Sequence, residues 1–223
     1  MRYGLSGRLY KRLRLFLGIL AVGMLAGGAL AGGPAQAAAK KILVLGDSIA
    51  AGYGLPAEES FPSKLEAALR AKGIDVEVVN SGISGDTTAG GRKRLGWALS
   101  SKPDYVIVEL GGNDGLRGLD PKETRANLDA IITQLKAKGV KVMLTGMYAP
   151  PNLGKRYEKE FNAIFPELAA KHGVPLYPFI LEGVALRKEL NQRDGIHPNR
   201  KGVAVIVEKL TPAVMKFIGA SEG

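Results

Sequence analysis

Short runs of branched aliphatic residues recur along the chain, separated by longer stretches in which apolar side chains return every three or four positions. The runs cover residues 41–45, 76–79, 105–110, 140–145 and 174–177. Their length and composition predict strands buried on both faces, of the kind found in parallel sheets. Between the first two, Ser60-Phe61-Pro62 reads as an N-cap followed by an early-helix proline and Gly73 as the stop, with Leu65, Ala68 and Leu69 on one face. A second helix is predicted over about 87–99, with Leu95 and Leu99 as core contacts. A third follows Asp120-Pro121-Lys122-Glu123, which has the pattern of a capping box, and carries Leu128, Ile131, Ile132 and Leu135 before Gly139. Two more are predicted over about 155–171 and 201–217.

Strands alternating with amphipathic helices predict an α/β fold whose five-stranded parallel sheet is covered on both faces, because each parallel connection needs a right-handed crossover. The pattern leaves the order of the strands open. Beyond residue 40 there is no internal repeat and no linker to a second domain.

Composition changes this picture at the N-terminus. The 223-residue chain has a formal charge of +10, but Arg2, Arg8, Lys11, Arg12 and Arg14 fall within the first 37 residues, where no acid occurs. The remaining 26 basic residues exceed the 21 acidic ones by only five. With no basic stripe interleaved with aromatics, nucleic acid is not an expected partner. The five charges precede an apolar stretch over 15–30 and small residues at Ala35-Gln36-Ala37 and Ala37-Ala38-Ala39. That order predicts a secretory signal peptide over 1–37, cleaved to leave a chain starting near Ala38 or Lys40, and a protein that is periplasmic or secreted. The competing reading is an uncleaved membrane anchor. The chain has no cysteine, so disulfides contribute nothing to its stability.

The first strand runs into Gly46-Asp47-Ser48-Ile49, at the kind of strand end where open α/β sheets bind ligands. Asp and Ser are also good helix caps, so the junction has a purely structural alternative. A serine nucleophile needs a base, and only two histidines exist. His172, in Lys171-His172-Gly173, reads as a surface residue at a helix C-terminus, where a cation suits the dipole. His197 lies in Asp194-Gly195-Ile196-His197-Pro198, 149 residues after Ser48. That loop reads either as a plain turn or as an acid and base held together, the carboxylate orienting the imidazole. The serine does not sit in G-x-S-x-G, since residue 50 is Ala. Donors for an oxyanion would come from the ends of the second and third strands, the backbone of Gly85 in Ser84-Gly85-Asp86 and the amide of Asn113 in Gly112-Asn113-Asp114. Each of these also reads as an ordinary turn.

Gly46-Asp47-Ser48, Gly85, Gly112-Asn113-Asp114 and Asp194-x-x-His197 together resemble the four blocks of the SGNH (GDSL-type) hydrolases. The likeness spans residues 41–217, and it resembles most the bacterial periplasmic branch of acyl-CoA thioesterase I, lysophospholipase and arylesterase. The first block reads Gly-Asp-Ser-Ile where the family's name has Leu. The resemblance implies a three-layer, flavodoxin-like sheet in the order 2-1-3-4-5, a hydrolase domain over 40–219, and an esterase acting on acyl esters and thioesters. It implies Ser48, Asp194 and His197 as catalytic residues and Ser48, Gly85 and Asn113 as the oxyanion hole. No cofactor or metal is expected. The expected partner is a small-molecule or lipid acyl ester, with transient contact to membrane lipid, and Ile49, Tyr53, Leu116, Pro150 and Leu153 are the expected walls of the acyl groove. A carbohydrate O-acetyl esterase and a catalytically silent binding module remain as alternatives.

Overall fold

The computed structural model describes residues 39–220, together with Met1. The expected leader therefore lies outside the described residues. At the centre is β1, Lys40–Gly46, whose last five residues are all buried. It pairs in parallel with β2 (Val76–Gly82) on one side and β3 (Tyr105–Glu109) on the other. β4 (Lys141–Thr145) and the two-residue β5 (Leu176–Tyr177) complete the sheet in the order β2-β1-β3-β4-β5. The flavodoxin-like order is thus observed.

Right-handed crossovers distribute the helices between the two faces. The chain moves one way from β1 to β2 through α2 (Phe61–Ala71), then back over β1 to β3 through α3 (Thr88–Ala98). It continues in that second direction through α5 (Pro121–Ala137) to β4, then through α6 (Lys155–Asn162) and α7 (Ile164–His172) to β5. α3 packs on α5 and α5 on α7, while α2 packs on the last helix, α8 (Arg200–Phe217). Two short helices, α1 (Ser48–Ala51) and α4 (Gly112–Leu116), follow β1 and β3 directly. The reversal of direction between β2 and β3 opens the crevice at the carboxyl end of β1, where Gly46 lies opposite Gly82 and Glu109.

Four expectations are corrected. The helix predicted over 155–171 is two helices, broken at Ala163. Pro166 has no N–H to bond the backbone carbonyl of Asn162, which interrupts the helical ladder there, and the Asn162 side-chain oxygen separately accepts from Ala149 N. Ser60 precedes α2, but its hydroxyl donates to Ala57 O at 2.8 Å rather than capping the helix. Asp120 caps α5 through Lys122 N, and the Glu123 half of the capping box does not form among the described residues. His172 ends α7 as expected, but its side chain is half-buried rather than open to water: it is 12% exposed and Nε2 lies 2.6 Å from Asp129 Oδ1. Asp129 is on α5, against which α7 packs, and its carboxyl is held below the ordinary range first by Lys171 and then by His172.

Candidate active site

The turn after β1 is built by competition for backbone donors. Asp47 caps α1, its Oδ1 accepting Ile49 N at 3.0 Å. Ala51 N donates to Asp47 O. The fully buried Glu109, at the end of β3, reaches under the turn, and its Oε2 accepts both Asp47 N and Ala50 N at 3.3 Å. Gly52, left-handed at φ +74, closes α1 after one turn by donating to Ser48 O. Every amide of the turn from 47 to 51 is therefore taken except that of Ser48, which has no partner among the described residues. Ser48 is presented half-buried at the tip, with its own N–H free beside its hydroxyl.

The second loop brings acid and base to that hydroxyl. His197 Nε2 lies 2.9 Å from Ser48 Oγ, and Nδ1 lies 2.7 Å from Asp194 Oδ2. The other carboxylate oxygen accepts the backbone N–H groups of Ile196 and His197 at 2.9 and 3.0 Å. These bonds, led by that from His197 N, hold the Asp194 carboxyl down at about 2. A carboxylate that stays ionised accepts only, so Nδ1 carries the proton and Nε2 is left to accept from the serine. Gln192 fastens this loop to the loop after α1, donating to Tyr53 O and Pro198 O.

The predicted oxyanion residues come from the ends of two other strands, and Asn113 is joined to the Gly85 turn through Asp86. Ile83-Ser84-Gly85-Asp86 makes a turn closed by Asp86 N donating to Ile83 O, with Gly85 at φ +82 as the third position of a type II turn requires. The Gly85 N–H has no partner among the described residues, while its carbonyl accepts from Arg117 Nη2 at 2.7 Å. Asn113, in α4, donates through Nδ2 to Asp86 O at 2.9 Å and to Asp47 Oδ2 at 3.1 Å. Beneath α4, the buried Asp114 accepts Thr88 N and the hydroxyls of Thr88 and Thr124, tying α4 to α3 and α5.

Sequence reasoning took Asp47 as a cap without foreseeing its burial, and it missed the second acid under the serine, Glu109. Burial pushes Asp47 up to about 6, opposed by its bonds from Ile49 and Asn113. Burial first, and then Asp47, pushes Glu109 well above the usual carboxylate range, and Glu109 Oε1 is buried without a partner among the described residues. The signal for Glu109 was an acid within the apolar run over 105–110.

A groove of about 370 Å³ opens beside Ser48 and Asn113. Ile49, Leu116 and Pro150 line it as expected walls, joined by Met147, Phe179 and Leu186 among others. Tyr53 and Leu153 do not line it. Tyr53 packs on His197 and borders a separate small crevice. Leu153 lies beside Gly118, beyond the groove's lining. An ordered Asp-His-Ser relay, a free N–H on the serine itself and an apolar groove are together equipped for acyl transfer through a serine.

Comparison with known proteins agrees with that chemistry. Residues 44–205 match the model of the GDSL-like Lipase/Acylhydrolase family. The chain is 44% identical over 185 residues to an arylesterase of Vibrio mimicus, covering 82% of this chain and 92% of the relative. It is 43% identical over 183 residues to thioesterase 1/protease 1/lysophospholipase L1 of Escherichia coli K12, covering 82% and 86%. Among solved structures, the psychrotrophic esterase EstA from Pseudoalteromonas sp., inhibited by monoethylphosphonate, superposes with a TM-score of 0.77 at 34% identity, covering 81% of this chain and 99% of that one.

Proposed function

The chain belongs to the GDSL-like lipase/acylhydrolase family and is a carboxylic ester hydrolase, and from that premise we propose that Ser48, His197 and Asp194 carry the reaction through an acyl-enzyme. The observation that carries this reading is the unbroken relay from Asp194 through His197 to Ser48, at 2.7 and 2.9 Å. His197 Nε2 takes the hydroxyl proton as Ser48 Oγ attacks the acyl carbonyl, and Asp194 keeps the imidazole in the tautomer that can do so. The oxyanion is received by the free N–H groups of Ser48 and Gly85 and by Asn113, which shifts toward it the hydrogen now shared with Asp47. His197 then protonates the departing oxygen or sulfur. Water, deprotonated by the same nitrogen, releases the acid.

The substrates we propose are esters and thioesters with an apolar acyl chain, the aryl esters and lysophospholipids included. Support comes from the groove's aliphatic and aromatic lining and from the names of the relatives, an arylesterase and a thioesterase/lysophospholipase. The mouth exposes Leu116, Tyr148, Leu186 and Ile196, which suits brief contact with a lipid surface from which such substrates are drawn. An O-acetyl group would leave most of the groove empty, so no observation favours the carbohydrate alternative.

Export is proposed from the order of charge, apolar run and small residues at the N-terminus. Among the described residues no helix is long and apolar enough to cross a membrane. Mass spectrometry of the exported protein is expected to show a start near residues 38–40, and retention of residues 1–37 would favour the anchor instead. For the activity, a p-nitrophenyl ester series from acetate to palmitate compares the parent with Ser48→Ala. Loss of turnover in the variant supports the serine, and equal rates would remove Ser48 as nucleophile. Failure of a fluorophosphonate to label the parent would favour the silent binding module.

A further inference from the structure

Arg94 stands in the middle of α3, away from the groove, with its side chain 13% exposed. Its guanidinium bonds in three directions. Nη2 donates to Gly46 O at 2.8 Å, at the end of β1. Nη1 donates to Ser81 Oγ at 2.9 Å, near the end of β2. Nε donates to Asp86 Oδ2 at 2.7 Å, the residue that closes the Gly85 turn.

Each oxyanion donor is one short step from these groups. Gly46 is two residues before Ser48, and its carbonyl also accepts Ile83 N, so it sets where the Gly85 turn begins. Gly85 directly precedes Asp86. The Asn113 amide is held by Asp86 O, on the same residue whose carboxylate the guanidinium grips. The first turn of α3 is hollowed to admit that carboxylate, since a Cβ on Gly90 would overlap Asp86 Oδ1. One bond to Asp86 would suffice to anchor α3; the fork spans two strand ends and the turn between them.

We infer that Arg94 is a positioning residue for the oxyanion hole, fixing Ser48 N, Gly85 N and Asn113 Nδ2 relative to one another through Gly46, Ser81 and Asp86. The inference rests on those three groups being the oxyanion donors. A lysine cannot replace the device, because a single ammonium lacks the rigid fork that holds three acceptors in three directions. Oxyanion donors act through their placement where charge develops, and removing one costs about 10²- to 10³-fold in kcat. A misplacement of about 1 Å costs on the order of 10²-fold. Substrate binding lies in the groove, which Arg94 does not touch, so the effect falls on kcat.

The test uses the full chain carrying Arg94→Gln, Arg94→Lys and Asp86→Asn, each made in the parent and in an Asn113→Ala background. The expected result for Arg94→Gln is a fall in kcat of about 100-fold with KM within about threefold, and a fall several-fold smaller when Asn113 is already Ala. The rate of fluorophosphonate inactivation, whose phosphoryl oxygen occupies the same hole, should fall in parallel, while the downfield proton resonance of His197 Nδ1–H is unmoved. Equal factors in both backgrounds, a rise in KM with kcat intact, or loss of the His197 resonance would overturn the inference, since a general loosening of the fold gives any of these. Should Arg94→Gln fail to fold, Arg94→Lys and Asp86→Asn, which keep the volume, decide by the same criteria. Full activity in Asn113→Ala alone would remove the donor reading and this inference together. Ser48→Ala and phosphonate labelling report separately on the nucleophile.

Discussion

Tyr53 lies against the imidazole of His197, ring centroids 4.5 Å apart and planes inclined at 39°. The contact backs the proposed base on a side of the ring where Tyr53 shares a small crevice with Leu55, Pro198, Val203 and Ile206, apart from the groove. A tyrosine ring adds attraction for the imidazolium that forms during attack, and pairs of this kind contribute about 0.5–1.5 kcal/mol. Tyr53→Phe is therefore expected to retain nearly full kcat. Tyr53→Ala should lose roughly two- to tenfold, with the acyl chain-length optimum unchanged. A shift in that optimum would return Tyr53 to the groove wall.

Asp194 offers one oxygen to Nδ1 and the other to two backbone amides. Asp194→Asn can keep the loop but presents either an amide N–H or a neutral oxygen to the imidazole, inviting the tautomer with the proton on Nε2. The expected loss in kcat is about 10³- to 10⁴-fold with little change in KM, by analogy with the same replacement in serine proteases. Steady-state kinetics on p-nitrophenyl butyrate checks it, and a loss below tenfold would show that Asp194 does not set the tautomer.

How much of this was legible follows from which physics writes itself into local sequence. Buried parallel strands need continuous aliphatic runs, so β1 to β4 were readable; β5 was overextended because residues 174–175 are apolar, yet the strand itself is only Leu176–Tyr177, with Pro175 O accepting from Leu144 N just ahead of it. Ser48, Asp194 and His197 were readable because their chemistry allows few residue types and the last two share one loop. Tyr53 was misplaced because an aromatic in a loop does not say which side of the base it takes. Arg94 was overlooked because a charged residue in a helix normally faces water, and only the tertiary fold brings three acceptors to it. Asp47 read as a cap, which it is, but its burial depends on Gly112, where a Cβ would come within 3.0 Å of Asp47 Oδ2.

Gly46 has the same relation to the nucleophile turn. A Cβ built there lies 2.5 Å from both Ala50 Cβ and Glu109 Oε2, with backbone close behind. Gly46→Ala must push Glu109 off the amides of Asp47 and Ala50 or displace α1 itself. The expected outcome is destabilisation of about 1–3 kcal/mol by urea titration and a fall in kcat larger than that of Gly73→Ala, whose added Cβ meets nothing within 4 Å. Gly73 is at φ +77 and Gly46 is not left-handed, so the control carries backbone strain that Gly46→Ala lacks, and a larger loss at Gly46 is steric in origin.

The groove makes chain length a matter of volume. Ala185 lines it and is partly exposed, so Ala185→Phe is expected to shorten the acyl optimum in the p-nitrophenyl series. KM for the acetate should stay within about twofold, since a short chain lies beside Ser48 and an added phenyl removes apolar contact only from longer chains. An unchanged optimum would place the acyl chain elsewhere.

Asp47 predicts an unusual pH dependence of stability. Its carboxyl, raised to about 6 by burial, binds protons more tightly in the folded protein than in the unfolded chain. Between about pH 4 and 6 the folded state therefore holds more protons, and stability falls as pH rises through that window. The gap from the ordinary value of 3.8 corresponds to a loss on the order of 3 kcal/mol, at about 1.4 kcal/mol per unit. Asp194, held down at about 2, has the opposite sign and acts lower, its contribution being lost only as pH falls below the ordinary carboxylate range. Urea unfolding of the parent and Asp47→Asn from pH 4 to 7 separates these effects, because the variant cannot titrate at this position. The stability of Asp47→Asn relative to the parent should rise across the window, whatever fixed offset the lost bond from Asn113 introduces. A parallel pair of curves would mean that Asp47 does not change its charge there. Activity should follow the other direction: ionised Asp47 holds Asn113 in register, so turnover should decline as Asp47 takes up its proton while the fold gains stability.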